Sequence, residues 1–198
     1  MQLKFLPSFV KRKGRITKKQ TNSLSSLSEF SVKSIQEVED FSKHFDKCYL
    51  EIGFGNAENI IFQAINNPSY LFIGSEVYMS GIGTLVSSIK ENKINNIKIF
   101  SDDIRILLDQ SPKIVFDSVI IICPDPWPKE KHHKRRLINK SFLKMVHDFM
   151  KDDSNVYIST DWENYAEGMS ELFKENKLFK PSINKSFYKD SFSKFERR

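Results

Sequence analysis

Residues 48–61 read CYLEIGFGNAENII. Cys48-Tyr49-Leu50-Glu51-Ile52 has the composition of a strand, Gly53-Phe54-Gly55 breaks it, and Asn59 to Asn66 predicts a helix. A strand that turns on glycines into a helix is the first half of a βαβ unit. Alone, Gly53-x-Gly55 is weak evidence, because any tight strand-to-helix turn favours glycine. The reading depends on whether the unit recurs.

It recurs along the chain. Tyr70 to Glu76 predicts a strand, and Ile82 to Glu91 a helix with Ile82, Leu85, Val86 and Ile89 on one face. Ile97 to Phe100 predicts a third strand, followed by Asp102, Asp103 and a short helix from Ile104 to Asp109. Val115 to Cys123 is the most apolar strand, and Phe142 to Met150 predicts a helix. Val156 to Ser159 and Trp162 to Asn176 complete the series as strand and helix. Strands alternating with helices pair in parallel through right-handed crossovers. The expected fold is therefore α/β, with a mostly parallel, doubly wound sheet over residues 31–198.

The chain has 198 residues, 39% hydrophobic, with 17 Phe. That is enough for one domain with an apolar core and no disulfide staples. Cys48 and Cys123 border apolar strands outside any CxxC pattern, which reads as free thiols in a reducing compartment. No apolar run has transmembrane length. The net charge of +6 is concentrated in two runs, Lys11 to Lys19 and Lys129 to Arg136. Clustered positive charge suits a polyanionic partner, and a solvated basic face is the alternative. Residues 1–30 are basic and then Ser-rich, and are expected to form a partly flexible basic arm. Their acid-poor composition also resembles a transit peptide.

Ligands of doubly wound sheets sit at the carboxyl ends of the strands. Here those ends carry Glu51, Glu76, Asp103, Asp125 and Asp161. Acids repel a pyrophosphate, Glu58 stands where a dinucleotide fingerprint needs its third glycine, and no GxxxxGK[ST] loop is present. That disfavours a nucleotide-dependent oxidoreductase. The acids suit a cofactor with cationic groups and no phosphate, as in S-adenosyl-L-methionine. Glu51, with Gly53 and Gly55, would face its methionine end, Glu76 its ribose diol and Asp103 its adenine amino group. Asp102 or Asp103 is also placed to cap the next helix.

Residues 123–136 read CPDPWPKEKHHKRR. Pro124 and Pro126 hold Asp125 in an extended turn at the end of the most apolar strand. Trp127 adds an aromatic face on which a base can stack. Guanine N7 carries no proton and needs no general base to act as a nucleophile. Asp125 is the candidate catalytic residue, pinning the guanine and stabilising the positive charge that grows on it. Lys134, Arg135 and Arg136 would grip the surrounding phosphates.

These residues resemble the bacterial tRNA (guanine-N7-)-methyltransferase family. The stretches that carry the likeness are SFVKRKGRITKKQ, LEIGFGNAENI, GSEVYMSGIG, SDDIRILL, CPDPWPKEKHHKRRLI, STDWENYAEGM and SKFE, spread over nearly the whole chain. The resemblance implies a Rossmann-like class I methyltransferase acting on guanine-46 of the tRNA variable loop in the cytoplasm, with no metal. It places cofactor contacts at Glu51, Glu76, Asp103 and Asp125. It assigns tRNA contacts to Lys129, Asp161, Ser193, Lys194, Phe195 and Glu196, and favours an RNA-binding arm over a transit peptide. Thr160-x-x-Glu163 also matches a capping box around Asp161. Ala57 stands where the family usually has glycine, and is expected to narrow the room for the methionine tail. A further edge strand beyond Arg198 is also expected. A non-catalytic RNA-binding relative and a methyltransferase of another nucleic acid are the rival functions.

Overall fold

The computed structural model describes residues 5–10 and 15–181. Its centre is a five-stranded, all-parallel sheet in the order β3-β2-β1-β4-β5. The strands are β1 (Lys47–Ile52), β2 (Tyr70–Ser75), β3 (Ile97–Phe100), β4 (Phe116–Ile122) and β5 (Met150–Ser159). The helices in chain order are α1 (Lys18–Leu24), α2 (Leu27–Phe30), α3 (Ile35–Ser42), α4 (Glu58–Asn66), α5 (Met79–Asn92), α6 (Ile104–Leu108), α7 (Lys140–His147) and α8 (Glu163–Glu175). A 3-10 turn spans Glu130–Arg135. The chain winds outward through β2 and β3, then returns to the other side of β1 for β4 and β5. That reversal opens a crevice between the carboxyl ends of β1 and β4, which pair with Ile52 opposite Ile121.

Alternating side chains divide the core into two layers, as the two-residue period of a strand requires. Leu50, Ile52, Leu71, Ile73, Val119 and Ile121 face α3, α6, α7 and α8. Phe72, Ile97 and Ile99 face α4 and α5, where Ile60, Ile82, Leu85, Val86 and Ile89 cover them. Glu51 alternates with Leu50 and Ile52, so its carboxylate lies on the α4 side, where Asn59 bonds it.

Several boundaries shift from the sequence reading; α5, for one, begins at Met79 and not at Ile82. The helix expected over 142–150 is α7 at Lys140–His147, capped by Asn139, whose side chain accepts from the Phe142 N–H at 3.1 Å. β5 begins at Met150, well before Val156. Met150 pairs with Phe116, and the polar run after it bulges through Asp153 at φ +58° before pairing resumes at Asn155. Such a run reads as a loop because a bulge carries no alternating pattern.

The arm also has structure. Thr17 and Gln20 form a capping box that starts α1. Leu24, Leu27 and Phe30 pack on the α5 layer, and Gln20 Nε2 donates to Thr84 Oγ1 at 3.0 Å. Gly83 permits this approach, since a Cβ there would lie 2.8 Å from the Gln20 carbonyl oxygen. The expected boundary at residue 30 therefore falls within packed structure. Lys11, Arg12 and Lys13 lie outside the described residues, as do Ser193, Lys194, Phe195 and Glu196.

Candidate active site

The crevice holds a cavity of about 390 Å³. Glu51, Gly53, Gly55, Glu76, Asp103 and Asp125, the six residues expected to meet a cofactor, all line it. Asp161, at the end of β5, is exposed and is not among the lining residues.

The glycine loop is held by conformation and by close approach. Gly53 and Gly55 have φ of +73° and +54°, and Ala57, the residue before α4, has φ +67°. Left-handed backbone is comfortable for glycine and strains alanine by about 1–2 kcal/mol. Ala57 is fully buried in the α4–α5 layer and does not line the cavity. Its methyl therefore does not narrow the methionine end; the departure from glycine acts through the backbone. Gly81 brings α5 against the loop, since a Cβ there would lie 2.1 Å from the Gly55 carbonyl oxygen.

Glu76 is buried and accepts from three backbone N–H groups: Gly55 at 2.8 Å, Val77 at 2.6 Å and Tyr78 at 3.0 Å. It clamps the glycine loop to the start of α5 while facing the cavity. Burial raises its pKa; the three N–H donors oppose that shift and the charge of Asp125 adds to it. Glu51, also buried, accepts from Asn59 Nδ2 at 2.6 Å.

Asp103 is the cap of α6, accepting from the Arg105 N–H at 3.1 Å, and it pairs with the Arg105 guanidinium through Nε at 2.9 Å. Its carboxylate is largely committed before any adenine arrives. Arg105 reaches on to the carbonyl of Leu6 at 3.1 Å and lies over the Phe5 ring. Trp127 Nε1 donates to the carbonyl of Ser8 at 2.9 Å, and the Tyr78 hydroxyl to that of Val10. Residues 6–10 thus cross the cavity mouth as a strap, and Ser8 and Phe9 line it.

Asp125 is exposed within the loop that follows β4. The prolines are only part of what holds it. Cys123 and Trp127 flank the Pro-Asp-Pro turn at φ +47° and +45°, strained values for residues with side chains. Trp127 is partly engaged already: the Arg135 guanidinium lies 4.9 Å from its ring centre and His132 meets it edge-on. Arg136 is turned inward. Its Nε donates to the Pro126 carbonyl at 2.9 Å, its Nη2 to Asn164 Oδ1 at 2.7 Å, and it lies over the Tyr165 ring. Of the basic residues expected to contact the nucleic acid, Arg136 is thus a brace of the aspartate loop, whereas Lys129 and Lys134 are exposed. The capping box expected at Thr160 is not formed: the residue capping α8 is Trp162, whose N–H donates to Thr160 Oγ1 at 3.2 Å.

A family model described as a putative methyltransferase matches residues 46–198. A tRNA (guanine-N(7)-)-methyltransferase of Wolbachia pipientis wMel is 36% identical over 150 residues, covering 75% of this chain and 68% of that protein. The chain belongs to the tRNA (guanine-N(7)-)-methyltransferase family. A bifunctional methyltransferase of Rickettsia conorii (strain ATCC VR-613 / Malish 7) is 40% identical over 142 residues. The match covers 72% of this methyltransferase and 27% of the Rickettsia protein. The solved structure of an antibiotic-related methyltransferase has a TM-score of 0.53 at 21% identity, over 72% of this chain and 75% of its own, a likeness of fold alone.

The cofactor of this methyltransferase family is S-adenosyl-L-methionine, and the cavity fits it. Six acids line the cavity, and Asn59 Oδ1, beside Glu51, is a buried acceptor with no hydrogen-bond partner among the described residues. Such a surface favours ammonium, sulfonium and hydroxyl groups and repels phosphate. Sequence reasoning missed Asn59, Gly81, Arg105 and the strap. Gly81 lay in view, inside a predicted amphipathic helix where a glycine needs a reason. The strap's contacts were not legible, because its bonds use main-chain carbonyls.

Proposed function

We propose that this protein transfers a methyl group from S-adenosyl-L-methionine to N7 of guanine-46 in the variable loop of tRNA, in the cytoplasm. The observation that carries this reading is the meeting of strand-end acids with a braced aspartate loop at one crevice, beside the basic turn Glu130–Arg135. In this reading Glu51 and Asn59 hold the amino-acid end of the cofactor, Glu76 the diol and Asp103 the adenine edge. The cofactor, when bound, supplies an electrophilic methyl on a sulfonium.

The protein's part is placement and charge. The residues of the crevice would hold guanine N7 in line with the methyl that the bound cofactor would supply, and the positive charge would pass with that methyl from the sulfonium to the purine. No proton moves in this step, so no general base is required. Asp125, fixed by the strained residues on either side, stabilises the charge on the methylated ring. Lys129, Lys134 and Arg135 hold phosphates of the tRNA, and Asp161 sits at the neighbouring strand end to contact the same substrate.

Incubation with unmodified tRNA and methyl-labelled cofactor tests the proposal. The label is expected as 7-methylguanine at one variable-loop position, mapped by chain cleavage at the modified base. Label on another base, or on none, overturns it.

A further inference from the structure

Asn59 has a share of the chemistry that its place near the start of α4 does not announce. The residue is 5% exposed and lines the cavity. The orientation of its amide is fixed by Glu51. The contact at 2.6 Å is to a carboxylate oxygen, so the amide must present its NH2 there; the flipped amide would press two acceptors together. Oδ1 consequently faces away from Glu51, and it is a buried acceptor with no partner among the described residues. Buried polar atoms in folded proteins nearly always have partners, and one left over at a ligand cavity marks a site for a donor.

We infer that Asn59 Oδ1 accepts a hydrogen bond from the ammonium group of the bound methyl donor, making Asn59 a binding residue that also positions Glu51. The inference rests on the cofactor reading above. An ammonium has three donors and a positive charge. A carboxylate and an amide oxygen, tied to each other through one short hydrogen bond, form an acceptor pair suited to it. The charge of Glu51 supplies attraction, while the neutral Oδ1 adds a second acceptor without a second buried charge. The arrangement discriminates: a ligand without the amino group leaves Oδ1 unpartnered.

Calorimetry with two ligands tests this. One is S-adenosylhomocysteine and the other its analogue lacking only the amino group. Asn59→Ala is expected to weaken S-adenosylhomocysteine by about tenfold or more, the scale of a hydrogen bond to a charged group, and to leave the analogue's affinity within about twofold. Equal weakening of both ligands overturns the inference, because the contribution of Asn59 would then not depend on the amino group. Unchanged affinity for both also overturns it. If Asn59→Ala fails to fold, Asn59→Ser enters the same comparison, with the same outcomes counted for and against. Wild-type protein that binds neither ligand overturns the cofactor reading itself, a result distinct from equal weakening in the variant.

Discussion

Replacing Glu76 with glutamine separates what its carboxylate does for the ligand from what it does for the fold. Wild-type Glu76 accepts from the N–H groups of Gly55, Val77 and Tyr78. The amide of glutamine has one oxygen. If that oxygen keeps Val77 and Tyr78, the NH2 faces the Gly55 N–H, and a buried donor loses its acceptor at about 1–3 kcal/mol. The two remaining bonds pass from a charged to a neutral acceptor and weaken. Against this, glutamine removes a buried charge whose raised pKa shows that its surroundings do not fully compensate it. The net loss is about 2 kcal/mol, a fall in Tm of roughly 4–8 °C for a domain of this size. The diol loses a charged acceptor as well, which weakens S-adenosylhomocysteine by about tenfold or more. The pH dependence has a definite sign. The folded pKa of Glu76 lies above its ordinary value of 4.5, so the native state takes up the proton first as pH falls. Wild-type stability therefore gains on that of Glu76→Gln as pH falls from the folded pKa towards 4.5, while wild-type ligand affinity declines over the same window. Thermal melts and calorimetry across pH measure both. A variant that melts with the wild type refutes the clamp, and one that binds like the wild type refutes the diol assignment.

Asp125→Asn should fold and bind tRNA, yet methylate it on the order of a hundredfold more slowly in single turnover; near-normal rates would show that its charge is not used. Lys134→Ala should reduce the log–log salt slope of tRNA binding by roughly one without moving Tm, whereas Arg136→Ala should destabilise by about 2 kcal/mol through the loss of its Pro126, Asn164 and Tyr165 contacts. Equal Tm values for the two variants would contradict the inward placement of Arg136. Gly81→Ala should lower both Tm and cofactor affinity because its Cβ meets the Gly55 carbonyl, while Gly83→Ala should lower Tm alone, since it meets Gln20. Calorimetry that finds unchanged affinity in Gly81→Ala would disprove the link to the glycine loop.

Much of the sheet was legible because buried parallel strands are short apolar runs bounded by turn residues, and Leu50, Ile73, Ile99 and Ile120 all lie in such runs. The acids were legible because topology, with no contact information, places every strand end on one edge. What each acid touches was not. Asp103 and Arg105 are two residues apart, yet their ion pair depends on the turn of α6. Arg136 continues a run of cations in sequence and faces Tyr165 in space. The positive φ of Cys123 and Trp127 escaped notice because neither residue type favours it, and the surrounding loop enforces the conformation.

The strap over the cavity mouth is gripped at the carbonyls of Leu6, Ser8 and Val10. A grip of that kind registers the path of the chain and is blind to its spelling. Every residue type, Pro7 included, carries a carbonyl, so substitutions between Leu6 and Val10 leave these acceptors in place. Chain length is another matter. The three donors stand on separate elements, α6, the aspartate loop and the residue before α5, and one residue of extended chain spans about 3.5 Å. A single deletion between Leu6 and Val10 moves an acceptor by more than a hydrogen bond tolerates. At its three gripped carbonyls the strap is thus held to a fixed count of residues, while Ser8 and Phe9 also bring their own atoms to the cavity.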